Sequence, residues 1–169
     1  MVKRIGVIGL LLMAGFSSEA LAHHDAPTTV ILIRHAEKVD ASADPELSKE
    51  GQDRAEALAR VLVDAGISEI YTTQFRRTNL TAAPLGKALK IEPKVIEAGA
   101  RYAADVKTRI RKERMGKTTL VVGHSNTIGP VLTELGVKTP LVLTDKDYGD
   151  IFICTIPSEG EPSVIRLHF

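Results

Sequence analysis

The sequence has a single cysteine, Cys154, and no block of like charges. One cysteine excludes an internal disulfide, and its place in the apolar run 151–154 predicts a buried, unreactive thiol. The 22 lysines and arginines nearly cancel the 21 aspartates and glutamates, which leaves a formal net charge of +1. We therefore expect no binding of nucleic acid and no broad attraction to an anionic membrane, and a small-molecule partner is favoured.

Long apolar stretches are also scarce, and the only one lies near the N-terminus. Lys3 and Arg4 precede the twelve apolar residues 5–16, and residues 20–22, Ala-Leu-Ala, form the pattern that signal peptidase cuts. So short a stretch does not predict a membrane span. We expect residues 1–22 to be a signal peptide, and the mature protein to be periplasmic or secreted without stable membrane insertion. An uncleaved N-terminal anchor is the alternative.

The rest of the chain has the length and composition of one domain. With 169 residues, 44% of them hydrophobic, the chain can bury a sizeable core of its own. No repeat or low-complexity linker divides it. We expect a flexible tail over residues 23–28, followed by one domain over residues 29–169.

Strand-like and helix-like stretches alternate along this domain. The continuous run 30–33 is typical of a strand buried on both faces, and Ser48 is a suitable N-cap for a helix reaching about residue 64. The further elements that we expect are strands over 69–72, 95–96, 118–122, 151–156 and 164–168 and helices over 76–89, 104–114 and 127–135. This order predicts an α/β three-layer sandwich with a mostly parallel central sheet, to which the last two strands could add an antiparallel edge.

Histidines and arginines follow three of the predicted strands. Arg34 and His35 end the first strand, Arg77 follows the second, and His124 comes directly after the strand over 118–122. Ligands of such sheets bind outside the carboxyl ends of the strands. A lone histidine there is usually a structural residue, but two histidines and at least two arginines in one cleft suit a tetrahedral oxyanion.

The residues around these positions resemble the motifs of a known family. Arg34-His35-Ala36-Glu37 resembles the Arg-His-Gly-Glu motif of the histidine phosphatase superfamily, whose fold is called phosphoglycerate mutase-like. Residues 71–78, followed by Thr-Ala at 81–82, resemble the second motif, and Gly-His-Ser at 123–125 resembles the third. Residues 47–51, Leu-Ser-Lys-Glu-Gly, also resemble the segment that opens the first helix in many members. The resemblance spans nearly all of the mature chain and points to a small, exported bacterial phosphatase.

This resemblance implies a role for each of four residues. His35 would take up the phosphoryl group, splitting one displacement into two. Arg34, Arg77 and His124 would hold the phosphate oxygens, where charge spreads in the transition state. The expected activity is hydrolysis of a phosphate monoester or phosphoramidate of small size, and this chemistry requires no metal or other cofactor.

The chain departs from the family pattern at two points. Ala36 replaces the usual glycine, which adds only a methyl group. The general acid that many relatives place between the second and third motifs has no clear counterpart. Glu97 and Asp105 are the candidates, with a solvated surface position as the alternative for both. Without an acid, leaving groups that need little protonation are favoured, as in the small bacterial phosphohistidine phosphatases.

Other functions compete with this interpretation. Residues 123–127, Gly-His-Ser-Asn-Thr, nearly match a serine-esterase nucleophile elbow centred on Ser125, although that would leave the arginines unexplained. A non-catalytic phosphate or phospho-ligand binding module, or a phosphomutase, would use the same pocket. Several further residues are candidates for the rim of the cleft: Glu37, Lys38, Tyr102, Asp147, Tyr148 and Asp150.

Overall fold

The computed structural model of the chain describes residues 26–169. The expected signal peptide, residues 1–22, and the first part of the expected tail lie outside the described residues. Nowhere in residues 26–169 does a helix combine the length and the apolar character that crossing a membrane requires.

Six strands and four helices make up this part of the chain. In chain order they are β1 (Thr28–Arg34), α1 (Lys49–Leu62), β2 (Ile67–Thr72), α2 (Arg76–Leu89), β3 (Lys94–Val95), α3 (Tyr102–Glu113), β4 (Thr118–Gly123), α4 (Ser125–Glu134), β5 (Asp150–Ile156) and β6 (Ser163–His168).

All six strands form one mixed sheet in the order β3-β2-β4-β1-β5-β6. The first four strands of that order are mutually parallel, whereas β5 runs antiparallel to β1, and β6 antiparallel to β5. This arrangement confirms the α/β fold and the antiparallel C-terminal pair. The carboxyl ends of β1, β2 and β4 consequently lie together at one edge of the sheet.

Two apolar cores cover the two faces of the sheet. Along β1, Val30 and Leu32 face the core that α3 and α4 complete, while Ile31 and Ile33 face the core of α1 and α2. Such alternation follows from the period of two residues along a strand. Cys154 lies in the first core with no exposed surface, and burial raises its pKa to about 11, as expected for an inert thiol.

The start of the domain corrects one expected boundary. Thr28 was placed in the flexible tail, but it is the first residue of β1 and is fully buried. Its hydroxyl accepts a hydrogen bond from the backbone N–H of Gly116 at 2.8 Å. This long-range contact, together with pairing in β1, places Thr28 in the folded domain.

Local capping explains where two of the helices begin. Ser48 caps α1 as expected, because its side chain accepts a hydrogen bond from the backbone N–H of Gly51. Helix α4 begins at Ser125, two residues before the expected start. His124 is its N-cap in extended conformation, and its backbone N–H donates to the hydroxyl of Thr127 at 2.8 Å.

Candidate active site

A polar cleft of about 760 Å³ lies at the carboxyl ends of β1, β2 and β4. It brings together the four residues that the motifs single out, namely Arg34, His35, Arg77 and His124. The pairing of β1 with β4 places Arg34 opposite Gly123, so that the residue following each strand is a histidine of the cleft. The other lining residues are Lys38, Phe75, Ala98, Gly99, Ala100, Ser125, Asn126, Thr127 and Asp145.

The two histidine rings face each other edge to face, with their centroids 5.3 Å apart. Both are buried: His35 is 4% exposed and His124 is 8% exposed. At this separation the two rings are in direct contact, so a small group in the cleft can touch both.

The contacts of His35 define which of its nitrogens can react. Its Nδ1 lies 2.8 Å from the carbonyl oxygen of Ala36, and since a carbonyl can only accept, Nδ1 carries the hydrogen. The lone pair of the neutral ring is therefore on Nε2. Burial, together with the nearby cations of Arg34 and Arg77, lowers the pKa of His35 from 6.5 to about 4. At neutral pH the ring is uncharged and able to act as a nucleophile.

His124 is held by Thr73, the residue that follows β2. Its Nε2 lies 3.1 Å from the hydroxyl of Thr73, which in turn contacts the hydroxyl of Thr78 at 3.0 Å. Burial is the main cause that lowers the pKa of His124 to about 3, and the charge of Arg77 adds to it. Both rings are consequently neutral in the free protein near pH 7.

The two arginines supply positive charge and unused donors. In each of Arg34 and Arg77 the Nε atom is buried and finds no hydrogen-bond acceptor within residues 26–169. Arg77 stacks on Phe75, with its guanidinium carbon 4.3 Å from the ring centroid, and burial lowers its pKa. A guanidinium nevertheless remains charged, and a buried donor without an acceptor is costly. An anion in the cleft would satisfy both donors.

Arg76, the neighbour of Arg77, faces away from the cleft. Its side chain pairs with Glu46, and its backbone N–H donates to the carboxylate of Asp44 at 2.8 Å. Both partners belong to the loop between β1 and α1. Arg77 lines the cleft, and its Nη1 also reaches this loop, where it donates to the carbonyl oxygen of Ala43 at 3.3 Å. Arg76 is outside the cleft lining and contacts the loop alone.

Neither candidate for the general acid lies in the cleft. Glu97 is exposed, and Asp105 lies 3.8 Å from Arg101 on the first turn of α3. The carboxylate that lines the cleft belongs to Asp145, which accepts a hydrogen bond from Ser125 at 3.0 Å and one from Arg34 at 3.4 Å. Asp145 lies between α4 and β5, where the sequence carries no motif that could have pointed to it.

The residues expected at the rim take different places. Lys38 lines the cleft, whereas Glu37 is paired with Arg54, whose Nε donates to both carboxylate oxygens at 2.7 and 2.9 Å. Tyr102 is buried in a core, and burial raises its pKa. Asp150 is also buried, paired with Arg166 and His168 outside the cleft-lining set. Tyr148 and Asp147 both contact Arg34.

The donor set of the cleft suits an anion. No group of three or more histidine, cysteine, aspartate or glutamate side chains that could hold a metal ion occurs in residues 26–169.

Ser125 donates a hydrogen bond to Asp145. Within the described chain no hydrogen bond joins Ser125 to a histidine that could activate it as an esterase nucleophile.

Comparison with known families agrees with the motifs. A sequence model described as the histidine phosphatase superfamily (branch 1) matches residues 30–100, which include Arg34, His35 and Arg77. The matched stretch covers the first two motifs and ends before the third. No significant match is found among curated proteins.

Several solved structures share the fold of this chain. The protein histidine phosphatase SixA, solved with tungstate, is 20% identical with a TM-score of 0.66, over 83% of this chain and 96% of that one. A mycobacterial glucosyl-3-phosphoglycerate phosphatase complexed with VO3 is 15% identical with a TM-score of 0.68, over 83% of this chain and 98% of that one. Phosphoglycerate mutase from Bacillus anthracis str. Sterne is 14% identical with a TM-score of 0.66, over 86% and 95% of the two chains. Likeness at these identities establishes a common fold.

Proposed function

We propose that the chain is a member of the histidine phosphatase superfamily, and that it is a phosphatase that hydrolyses a small phosphate monoester or phosphoramidate through a phosphohistidine on His35. One observation carries the proposal: the neutral His35, with its lone pair on Nε2, lines the same cleft as two buried arginine Nε donors that lack acceptors. A nucleophile beside unused cationic donors is the arrangement that phosphoryl transfer needs.

The reaction would proceed in two displacements at phosphorus. Nε2 of His35 forms a bond to phosphorus while the bond to the leaving group breaks, and the leaving group then takes up a proton. Water attacks the phosphohistidine, the P–N bond breaks, and inorganic phosphate and the neutral imidazole are released. Arg34, Arg77 and His124 surround the phosphate oxygens, and the charge of the arginines stabilises the transition state.

The contents of the cleft favour leaving groups that need little protonation. Glu97 and Asp105 lie outside it, and the carboxylate that lines it, on Asp145, is 91% exposed and engaged with Arg34. Aryl phosphates and phosphoramidates are therefore better candidate substrates than alkyl phosphates. The structural neighbours are consistent with phosphorylated substrates, since SixA was solved with tungstate and the mycobacterial phosphatase with VO3.

Detection of phosphohistidine tests the proposal directly. The purified protein is incubated with an aryl phosphate labelled in the phosphoryl group and quenched in alkali, in which phosphohistidine survives. We expect label on His35, together with vanadate-sensitive turnover, and neither in His35→Ala. His168→Ala is the matched control, because the side chain of His168 is 70% exposed and lies outside the cleft lining.

The possible results separate the competing functions. Vanadate or phosphate binding without turnover or label, across acid to neutral pH, would replace the phosphatase with a phosphate-binding module. Label that moves to a second phosphate ester faster than to water would indicate a phosphomutase. Reaction of Ser125 with a fluorophosphonate probe would revive the serine esterase.

We also propose that the protein is exported, on the strength of the basic and apolar pattern of residues 1–22. Expression of the full chain in a Gram-negative host, followed by cell fractionation and N-terminal sequencing, tests this. Export predicts a periplasmic protein beginning at residue 23. A full-length protein in the membrane fraction would instead indicate an uncleaved anchor.

A further inference from the structure

Arg34 is surrounded by one short segment of the chain, residues 144–148, which precedes β5. Its Nη1 donates to the carbonyl oxygens of Thr144 at 2.9 Å and of Asp147 at 3.4 Å. Its Nη2 donates to the carboxylate of Asp145 at 3.4 Å and to the hydroxyl of Tyr148 at 3.2 Å. The ring of Tyr148 also lies against the guanidinium, whose carbon is 4.1 Å from the ring centroid.

Only one hydrogen-bond donor of Arg34, its Nε–H, is left for a ligand within the described residues. A guanidinium has five N–H groups, two on each terminal nitrogen and one on Nε. The four acceptors of segment 144–148 match the four terminal N–H groups, and Nε is left buried without an acceptor within residues 26–169. The segment thus determines both the orientation of Arg34 and which of its donors is free.

Segment 144–148 is fixed by a turn within it and by a backbone hydrogen bond of the residue that follows it. The backbone N–H of Thr144 donates to the carboxylate of Asp147, which closes a tight turn within the segment. The next residue, Gly149, has a φ of 81° and is buried, and its carbonyl accepts from the backbone N–H of Phe169 at 3.0 Å. Strand β5 starts at Asp150. The acceptors around Arg34 are therefore part of the folded framework.

We propose that Tyr148 is a positioning residue, which together with the rest of segment 144–148 orients Arg34 so that its Nε–H faces the phosphate. The inference rests on the proposed phosphatase function and names a residue outside the three motifs. Arg34 then offers the phosphate one fixed N–H donor and a positive charge, and it does not bind the phosphate through a bidentate pair of hydrogen bonds. The ring of Tyr148 also lies edge to face with that of His35, with the centroids 6.3 Å apart, whereas its hydroxyl contacts Arg34. The proposed positioning acts through that hydroxyl.

The sharpest test is a double-mutant cycle between Tyr148 and Arg34. Tyr148→Phe keeps the ring over the guanidinium and removes only the hydroxyl, so the fold is retained. We expect the rate of His35 phosphorylation to fall about tenfold, because a misplacement of about 1 Å can cost about a hundredfold and the loss of one of four acceptors should shift Arg34 by less than that. Vanadate inhibition should weaken by a similar factor, with KM changing less than kcat. In an Arg34→Ala background, Tyr148→Phe should have no further effect.

Single-turnover measurement of the phosphorylated protein allows the slow Arg34→Ala variants to be followed. Lys146→Ala is the matched control, because Lys146 lies in the same segment, is exposed, and makes no side-chain hydrogen bond within the described chain. If Tyr148→Phe has no effect, or the same effect in both backgrounds, the positioning role is overturned. If the wild type takes up no phosphate on His35, the phosphatase proposal fails before the cycle begins.

Discussion

At the scale of single residues, the candidate site depends on which side chains are left without partners. Two adjacent arginines begin α2. The side chain of Arg76 pairs with Glu46, whereas Arg77, although its Nη1 donates to Ala43, keeps a buried Nε with no acceptor in residues 26–169. Sequence position alone does not distinguish them. The family motif selected Arg77, and the structure places that side chain in the cleft.

This difference predicts unequal effects of the two arginines. We expect Arg77→Ala to lower kcat/KM by roughly a hundredfold to a thousandfold, because one preorganised donor to a developing negative charge has an effect of that order. Arg76→Ala is the control and should change kcat/KM less than about threefold, since it removes an exposed ion pair. Steady-state kinetics with an aryl phosphate measures both. Equal losses in the two variants would contradict the assignment of the anion site to Arg77.

At the scale of elements, α1 is fitted closely against the loop that carries the catalytic candidate. The backbone N–H of Ser48 donates to the carbonyl of Glu37 at 2.9 Å, and a Cβ on Gly51 would lie 2.2 Å from that same oxygen. The backbone approach leaves no space for a side chain at position 51. This contact gives a physical reason for the glycine in the Leu-Ser-Lys-Glu-Gly segment and anchors the loop after His35.

The close approach predicts that Gly51→Ala is destabilising. Because the obstructing atom is a backbone oxygen, the helix or the loop must shift, which costs about 1–3 kcal/mol as in other overpacked sites. Urea unfolding followed by circular dichroism measures the loss. Gly99→Ala is the control, because a Cβ at that position meets nothing within 4 Å, and its free energy of unfolding should stay close to that of the wild type. A Gly51→Ala variant as stable as the Gly99→Ala variant would contradict the prediction.

At the scale of the whole molecule, the order of elements and four of the site residues could be predicted from the sequence. The strands β1 and β4 contain the apolar runs 30–33 and 120–122, and each strand is followed directly by a histidine. The bounds of α2 coincide with those expected. Asp145 was not predicted, and Tyr148 was only one of several candidates for the rim, because both lie in an irregular segment whose position depends on contacts with Arg34 and Phe169. The hydrophobic pattern of a sequence predicts helices and strands, whereas the position of an irregular segment is determined by its tertiary contacts.

The buried histidine pair also affects the stability of the whole fold. Burial lowers the pKa of His35 to about 4, whereas in the unfolded chain it has the usual value of 6.5. Between these two values the unfolded state binds a proton that the folded state does not. Stability must therefore fall as the pH drops from about 6.5 to 4, by on the order of 3 kcal/mol for this group, with no contribution above that window. His124, with a pKa lowered to about 3, acts in the same direction.

Replacing the ring isolates this contribution from that of the carboxylates, which also titrate below pH 5. We expect His35→Asn to show a shallower loss of stability between pH 6.5 and 4 than the wild type, since one proton fewer is taken up on unfolding. Urea unfolding at half-unit pH intervals gives the two curves, and their difference should be flat above pH 6.5. Parallel curves through the acid window would mean that His35 is not held neutral by the fold. That result would also remove the reason for its lone pair to be available at neutral pH.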